Sequence, residues 1–248
     1  MITRLLKHLQ WIRNARSIGV PFLRTSSFTL PKSMRLKGHT FDLAYPDEIG
    51  IWNDFLVCLI KDEYGLRDIR FPVKTIADIG GNVGFLSLAA RAAFPAATIH
   101  TYEPNARTLT YLATNAASGG FQVYAEAVGA TEGRVMIVDS GDSNQARTSA
   151  VEAGTGVPQV PLITVVERLG GWIDLAKFDC EGAEWEMFQN HAAWKRIGEV
   201  RMEYHLLGTH QFNELEQTFR ELGFELHLHH SQGDFGTVWA RNLSRAAI

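Results

Sequence analysis

Two periodicities alternate along residues 71–240. Short runs of β-branched and other apolar residues, typical of buried strands, precede longer runs with the apolar spacing of helices. Strands are predicted at residues 75–79, 98–102, 121–128, 134–138, 160–164, 174–178, 199–204, 224–229 and 236–240. Helices are predicted at residues 85–93, at 106–117, from 183 onward and at 213–222. This alternation favours an α/β, Rossmann-like fold with a mostly parallel sheet and helices on both faces.

The end of the chain departs from this alternation. Only residues 230–235 separate the last two predicted strands. A parallel pair needs a crossover of about a dozen residues or more. We therefore expect the last strand to run antiparallel to its neighbour.

Residues 1–70 carry a different pattern, and we predict that they form a basic helical arm and cap on the substrate side of a core at residues 71–248. Apolar residues at positions 2, 5, 6, 9 and 12 predict a helix with a basic opposite face. A strand is predicted at residues 39–44, and a helix at 49–64 with Asp47 as its N-cap. Residues 140–158 are polar and rich in Gly, Ser and Thr, which is typical of a lid or a binding loop.

The composition places the chain among ordinary globular proteins. Of its 248 residues, 46% are hydrophobic and 21% are charged. No apolar run approaches the roughly 20 residues of a membrane-spanning helix. Cys58 and Cys180 have neither a metal-type spacing nor the pattern of a disulfide framework. We therefore expect a cytoplasmic protein.

The net charge of −3 conceals a basic N-terminal segment. Residues 1–41 contain eight Lys or Arg and no acid, so the other 207 residues hold 16 basic and 27 acidic residues, a net charge of −11. Segments of this kind occur in transit peptides, in arms for anionic partners and in helices at membrane surfaces. Packing on the acidic core is the plainer alternative. Nucleic acid is disfavoured, because aromatic residues do not interleave with the basic ones.

The candidate chemistry begins at residues 75–84, where a predicted strand passes through a small-residue turn into a helix. Such a turn forms a site for anions and nucleotides. Its sequence, Gly-Gly-Asn-Val-Gly at residues 80–84, matches neither the dinucleotide pattern G-x-G-x-x-G nor a P-loop. Asp78 would repel a diphosphate, so the turn should hold something else. Asn82 tolerates a left-handed backbone better than other non-glycine residues.

A second acid follows at the end of the next predicted strand. Glu103 lies 25 residues after Asp78, near the place where nucleotide-binding folds put an acid that accepts hydrogen bonds from ribose hydroxyls. Capping the following helix is its alternative role, with Asn105 as the rival cap. We favour ribose binding, because the two motifs occur in the expected order.

Two further motifs follow the strands at 174–178 and 199–204. Asp179 lies at the carboxyl end of the first, where open α/β sheets bind their ligands. Glu203 and His205 share one face of the second. We predict His205 as a general base, with Asp179 and Glu203 orienting it or the substrate. A divalent metal held by Asp179 and Glu203 is the less favoured alternative.

The motifs stand in the order of a known family. Residues 77–84 (ADIGGNVG), 102–105 (YEPN), 127–129 (AVG), 177–184 (KFDCEGAE) and the pair Glu203-x-His205 resemble the motif series of FkbM-type methyltransferases. These are class I enzymes that depend on S-adenosylmethionine. The resemblance spans about residues 71–210, with Gly81 in place of the usual alanine and Cys180 in place of the usual aliphatic residue.

The resemblance implies a seven-stranded sheet with an antiparallel last strand. It also implies S-adenosylmethionine as cofactor and S-adenosylhomocysteine as product. The turn at 80–84 would lie beneath the methionine part, with Asp78 near the amino group, Glu103 at the ribose and residues 126–128 beside the adenine. The cofactor-binding residues are then Asp78, Gly80, Gly81, Asn82, Gly84, Glu103, Pro104, Asn105, Glu126, Ala127 and Asp179.

The predicted function is O-methylation of a hydroxyl on a sugar, glycolipid or polyketide-like natural product. The acceptor would be a small molecule, a glycan or a lipid-linked group. One alternative is an NAD-type oxidoreductase, which the absent G-x-G-x-x-G and Asp78 disfavour. Another is a non-catalytic nucleotide-binding module whose basic arm contacts an anionic partner.

Overall fold

A seven-stranded sheet forms the centre of the molecule in a computed structural model that describes residues 2–20, 28–138, 147–150 and 156–244. The strands are β1 (Ser33–Leu36), β2 (His39–Asp42), β3 (Thr75–Ile79), β4 (Thr98–Tyr102), β5 (Gln122–Tyr124), β6 (Ala127–Gly129), β7 (Gly133–Val138), β8 (Arg147–Ala150), β9 (Val157–Pro161), β10 (Ile173–Phe178), β11 (Ile197–His205), β12 (Phe224–Ser231) and β13 (Phe235–Asn242). The helices are α1 (Ile2–Ser17), α2 (Ile49–Phe55), α3 (Phe85–Ala93), α4 (Ala106–Gly119), α5 (Leu162–Arg168), α6 (Glu184–Met187), α7 (His191–Trp194) and α8 (Phe212–Glu221), and a π-helical turn covers Leu56–Lys61.

The main sheet has the strand order β12-β13-β11-β10-β3-β4-β5. Strands β11, β10, β3, β4 and β5 are parallel to one another, whereas β13 is antiparallel to both of its neighbours. The prediction of a mostly parallel, seven-stranded sheet with an antiparallel last strand is confirmed. The last strand lies inside the sheet, between β11 and β12.

Two apolar clusters cover the two faces of this sheet. Ile76 belongs to the cluster formed with α2, the π-helical turn, α3 and α4, while its neighbour Ala77 belongs to the cluster formed with α5, α7 and α8. Successive strand residues point to opposite faces, so a strand buried on both sides is apolar throughout. This explains why β3 reads as a mostly apolar run, in which Asp78 precedes the last residue, Ile79.

The N-terminal elements differ from the prediction in three details. The strand predicted at 39–44 is the second arm of the β1–β2 hairpin. Glu48, not Asp47, is the N-cap of α2, and its side chain pairs with Arg107 at 2.6 Å instead of capping the helix. The helix predicted at 49–64 ends at Lys61, because Asp62 adopts a left-handed backbone with φ of 57°.

A second sheet occupies the region predicted as three strands, at residues 121–128, 134–138 and 160–164, and one long loop; the strand predicted at 134–138 is observed as β7. Residues 121–128 divide into β5, in the main sheet, and β6, in a four-stranded sheet of order β6-β9-β7-β8. The single strand predicted there was therefore wrong. Strand β8 and the first two residues of β9 lie within the predicted loop 140–158, whose residues 140–146 and 151–155 fall outside the described part of the chain. The strand predicted at 160–164 was displaced, because β9 ends at Pro161 and α5 begins at Leu162.

Among the described residues, no helix is both long enough and apolar enough to cross a bilayer.

Candidate active site

The turn between β3 and α3 brings two strand ends close together. Gly80, Asn82 and Gly84 adopt left-handed backbones with φ of 74°, 47° and 85°. A Cβ atom on Gly80 would lie 1.8 Å from the carbonyl oxygen of Asp179, which follows β10. Only glycine allows this approach. The left-handed conformation expected as tolerable for Asn82 is the one observed.

A cleft with about 680 Å³ of empty volume opens at the carboxyl ends of β3, β4 and β10. Its lining includes most of the predicted cofactor-binding residues, namely Gly80, Asn82, Glu103, Pro104, Asn105, Glu126, Ala127 and Asp179. It also includes residues that we did not predict, among them Asp54, Tyr102, Ile137 and Glu181.

Gly81 and Gly84 do not line this cleft. A Cβ on Gly81 would lie 2.1 Å from Cγ2 of Thr101, and one on Gly84 would lie 2.8 Å from Cδ1 of Leu112. These two glycines let the turn pack against β4 and α4. Their contribution in the structure is to the shape of the turn.

Asp78 also lies behind the cleft wall. Its side chain is fully buried and accepts a 2.6 Å hydrogen bond from the Ser87 hydroxyl. The Lys177 ammonium lies 3.5 Å from the other carboxylate oxygen. Burial raises the pKa of Asp78, and the lysine and the hydroxyl oppose that shift.

Lys177 is a site residue that our sequence reasoning did not select. It is buried near the end of β10, where it donates to the Gly80 carbonyl and lies 3.4 Å from Oδ2 of Asp179. Burial lowers its pKa, but Asp179, Asp78 and Asp54 together raise it above the ordinary value. A lone lysine at the end of an apolar strand was the available signal. One ammonium among three acids leaves this end of the cleft with an excess of acidic groups.

The N-terminal cap supplies two more site residues. Asp54 of α2 lines the cleft and accepts a 3.2 Å hydrogen bond from the Asn82 side chain. Burial raises the pKa of Asp54 to about 7. The Tyr64 hydroxyl donates to Oδ2 of Asp179 at 3.1 Å. Nothing in the local sequence around either residue marks it, because each reaches the site only through tertiary folding.

Glu103 is held rigidly at the rim of β4. One carboxylate oxygen accepts from the backbone N–H of Asn82 and the other from that of Asn105, both at 2.8 Å. Burial raises the pKa of Glu103 to about 7, against these two hydrogen bonds. Asn105 also caps α4, since its side chain accepts from the backbone N–H of Arg107. The capping role weighed for this motif therefore falls on Asn105.

Three cleft-lining residues each have a buried polar atom without a hydrogen-bond partner among the described residues. The atoms are Oδ1 of Asn82, Nδ2 of Asn105 and the hydroxyl oxygen of Tyr102. An unpaired buried polar group costs roughly 1–3 kcal/mol. One amide acceptor, one amide donor and one hydroxyl group are thus available for a polar ligand.

An aromatic and charged wall closes the other end of the cleft. Tyr102 stacks on Tyr124 with ring centroids 4.8 Å apart, and Arg168 lies 4.4 Å from the centre of the Tyr124 ring. Arg168 also pairs with both carboxylate oxygens of Glu126, at 2.6 and 3.3 Å. The pair orients Glu126 beside the apolar Ala127.

His205 lies inside a cluster of carboxylates at the end of β11. Its Nε2 is 3.5 Å from Glu181 and 3.8 Å from Glu203, and its Nδ1 is 3.6 Å from Glu184. Burial lowers the pKa of His205, but Glu184, Glu181 and Asp179 outweigh it and raise the pKa to about 9. Burial and the nearby Asp179 raise the pKa of Glu203 to about 8. At neutral pH the imidazole is therefore mainly protonated.

His205 faces a second space and not the first cleft. It lines an open groove of about 1080 Å³ together with residues 206–208, 210–212, 234 and 235. Glu203 lines neither of these two spaces. Glu181 connects them, because it lines the cleft and reaches His205 from a left-handed backbone with φ of 54°. The structure thus brings Asp179, Glu181 and His205 to one boundary between the cleft and the groove.

Within the described ranges, no group of three or more His, Cys, Asp or Glu residues is arranged to hold a metal ion.

A family model matches the segment that carries most of these site residues. The model of the methyltransferase FkbM domain matches residues 78–226, more than half of the 248 residues. The chain belongs to this family. The resemblance drawn from the motifs is confirmed, and with it the assignment of the chain as a methyltransferase.

The chain is also similar, at low sequence identity, to solved structures of other methyltransferases. A ribosomal protein L11 methylase from Lactobacillus delbrueckii subsp. bulgaricus is 15% identical, with a TM-score of 0.46 over 73% of this chain and 76% of that one. A precorrin-6y C5,15-methyltransferase from Geobacter metallireducens GS-15 is 13% identical, with a TM-score of 0.47 over 80% of this chain and 93% of that one. Among curated proteins, none matches the sequence.

The matched FkbM domain extends from Asp78 to Leu226. It includes every residue predicted for the site, and also Lys177 and Glu181. It excludes Asp54 and Tyr64, which lie in the N-terminal cap. The cap thus adds Asp54 to the cleft lining and the Tyr64 hydroxyl as a hydrogen-bond donor to Asp179.

Proposed function

We propose that this FkbM methyltransferase transfers the methyl group of S-adenosylmethionine to a hydroxyl of a sugar, a glycolipid or a polyketide-like natural product. The proposal rests on one observation: the cleft and the groove meet at Glu181, which lines the cleft and contacts His205 in the groove. On one side is a cleft lined by acids and carrying unpaired polar atoms, and on the other is a groove that contains His205. A donor and an acceptor could reach a common boundary from different sides.

The cleft residues fit this cofactor. S-adenosylmethionine carries an ammonium and a sulfonium, and the excess of acids around Lys177 favours cations. Asp54 and Asp179 present those acids on the cleft surface. Glu103 would hold the ribose hydroxyls, and residues 126–127 would flank the adenine. The unpaired Oδ1 of Asn82 and Nδ2 of Asn105 offer one further acceptor and donor.

The protein's own contribution would be positioning and proton removal. The sulfonium supplies an already activated methyl group when the cofactor is bound. Correct orientation of two reactants is worth on the order of 7–11 kcal/mol. A base within hydrogen-bond reach of an alcohol contributes roughly 10²–10⁴-fold. We assign that base to His205, with Asp179 and Glu203 as the groups that orient it or the acceptor.

The acceptor would enter from the groove at His205. The cap, residues 1–70, would form part of the same substrate side, since Asp54 and Tyr64 already reach the cleft and Asp179. The open shape of the groove suits a small molecule, a glycan or a lipid-linked group.

Calorimetry with the purified chain tests the cofactor first. We expect S-adenosylhomocysteine to bind and NAD to give no heat. Glu103→Gln should weaken S-adenosylhomocysteine binding about tenfold or more, because it removes the charge at the ribose. Glu132→Gln, an exposed acid outside the cleft, is the matched control and should bind as the original chain does. Binding of NAD alone would point to the oxidoreductase alternative.

Transfer is tested with methyl-labelled cofactor and a panel of glycans, glycolipids and hydroxylated natural products. We expect label on a hydroxyl oxygen, and loss of turnover in His205→Ala with cofactor binding retained. Label that appears on amines and never on hydroxyls would contradict the O-methyl assignment. Near-normal turnover in both His205→Ala and Asp179→Asn would remove these residues from the chemistry.

A further inference from the structure

Helix α1 presents apolar side chains to solvent. Leu5 and Leu6 are each 60% exposed and Leu9 is 47% exposed. At 100° per residue, these three leucines lie on the helix face opposite to the one that the buried Asn14 and Ala15 share. The leucines of the apolar stripe expected from the sequence therefore share one face, but they point away from the protein.

The inner face of α1 is firmly attached, so the outward face is a fixed feature of the fold. The Asn14 side chain donates to the Ile60 carbonyl at 2.7 Å in the π-helical turn. Ala15 and the following Ile18 are fully or almost fully buried in the core. The Lys61 ammonium lies 5.6 Å from the centre of the Trp11 ring. These contacts hold the helix in one orientation with its leucines outside.

Basic residues share the outward face. Arg13 and Arg16 are exposed and lie between the leucines in helical projection. Residues 1–41 contain no acid, whereas the rest of the chain has a net charge of −11. An anionic surface would attract this face and repel the rest of the molecule, so the charge distribution fixes which side approaches.

We propose that the outward face of α1, formed by Leu5, Leu6, Leu9, Arg13 and Arg16, docks on an anionic membrane surface. Helices that lie in the membrane interface combine exposed leucines with arginines or lysines, and they bind through apolar burial and attraction to anionic lipids together. Three leucines are too small a patch for a stable protein dimer, which buries about 800 Å² on each partner. The mixture of apolar and basic groups fits a lipid surface better than a second copy of this chain.

Vesicle sedimentation with the full chain tests the proposal. We expect binding to vesicles of phosphatidylcholine mixed with phosphatidylserine, weak binding to phosphatidylcholine alone, and release at high salt. The double variant Leu5→Gln, Leu9→Gln keeps every charge and should bind about 100-fold more weakly. The variant Arg13→Gln, Arg16→Gln keeps the leucines, and its affinity for the vesicles should fall about fivefold for each arginine removed.

The variant Lys195→Gln, Arg196→Gln is the matched control, since it removes two exposed charges elsewhere. It should bind vesicles as the original chain does, and thermal melts should show that all variants remain folded. Equal binding in the control and in the arginine variant would contradict the proposal. Absence of vesicle binding would contradict it too. Self-association that depends on Leu5 and Leu9, without vesicle binding, would assign the face to a second copy of the chain.

Discussion

At the scale of single residues, Lys177 balances the negative charge of two neighbouring acids. Its buried ammonium lies within 3.5 Å of both Asp78 and Asp179. Removing one partner of a buried ion pair leaves an uncompensated charge, which is more harmful than never having had the pair. The lysine is therefore needed to keep two acids at the cleft.

We expect Lys177→Met, which preserves length but not charge, to lower the free energy of unfolding by about 3 kcal/mol. Urea denaturation of the purified variant measures this change. Lys195→Met, at an exposed position, is the matched control and should change stability by roughly 0.5 kcal/mol or less. Equal effects of the two substitutions would show that the buried pairs contribute nothing.

His205 yields a prediction about pH. Its pKa of about 9 means that the neutral imidazole, the form that can accept a proton, becomes the major form only above that pH. We expect kcat/KM for methyl transfer to rise with pH through the neutral range and to level off near pH 9. His205→Ala should lack this rise. A flat profile in the original enzyme would remove His205 as the base.

At the scale of elements, the turn between β3 and α3 depends on the contact between two strand ends. We expect Gly80→Ala to force the turn away from Asp179, because the new Cβ would lie 1.8 Å from a backbone oxygen. Both stability and S-adenosylhomocysteine binding should fall, as measured by thermal unfolding and calorimetry. Gly170→Ala shares a positive φ but has no atom within 4 Å of the new Cβ. It should cost only about 1 kcal/mol and leave binding intact.

The last three strands of the sheet are joined by one buried acid. Glu199 of β11 accepts hydrogen bonds from Arg201 on the same strand, from Arg241 on β13 and from the His227 ring on β12. Burial alone would raise its pKa, but these partners lower it to about 2. The stabilisation is therefore complete above pH 4.5 and is lost as the pH falls toward 2.

We expect Glu199→Gln to reduce the free energy of unfolding at neutral pH by roughly 2 kcal/mol. The difference between the variant and the original chain should shrink steadily below pH 4.5. Denaturation at a series of pH values measures it. Glu225→Gln, an exposed acid on β12, is the control and should show no such dependence. A difference that stays constant down to pH 2 would contradict the pKa of Glu199.

At the scale of the whole molecule, ligand binding should stabilise every element at once, because residues from the cap and from β3, β4 and β10 meet at one cleft. We expect S-adenosylhomocysteine at 100 times its Kd to add about 2.7 kcal/mol to stability. This corresponds to a rise in Tm of roughly 5–10 °C for a chain of this size. Scanning calorimetry measures the shift, and a shift with NAD instead would contradict the proposed cofactor.

Much of the main sheet could be predicted, because strands buried on both faces are short apolar runs and their helices have the helical period. The second sheet could be predicted only in part: β7 was expected, but β8 lies in a polar segment where strand and loop have the same composition. The cleft residues that follow strands, such as Glu103 and Asp179, were predictable because parallel strands end at one edge. Asp54 and Tyr64 were not, because tertiary packing alone brings them to the cleft.

The insertion of β13 between β11 and β12 has a consequence for how the chain acquires its structure during synthesis. The strand that carries Glu203 and His205 has one unpaired edge until residues 235–242 have left the ribosome. An unpaired edge is a site for pairing with other chains. The pairing of β13 with β11 joins residues far apart in the sequence, and such non-local pairings form slowly in folding. β11 becomes paired on both sides only after β13 has been translated, and β13 follows the FkbM-matched segment. Until then, β11 can aggregate through its unpaired edge.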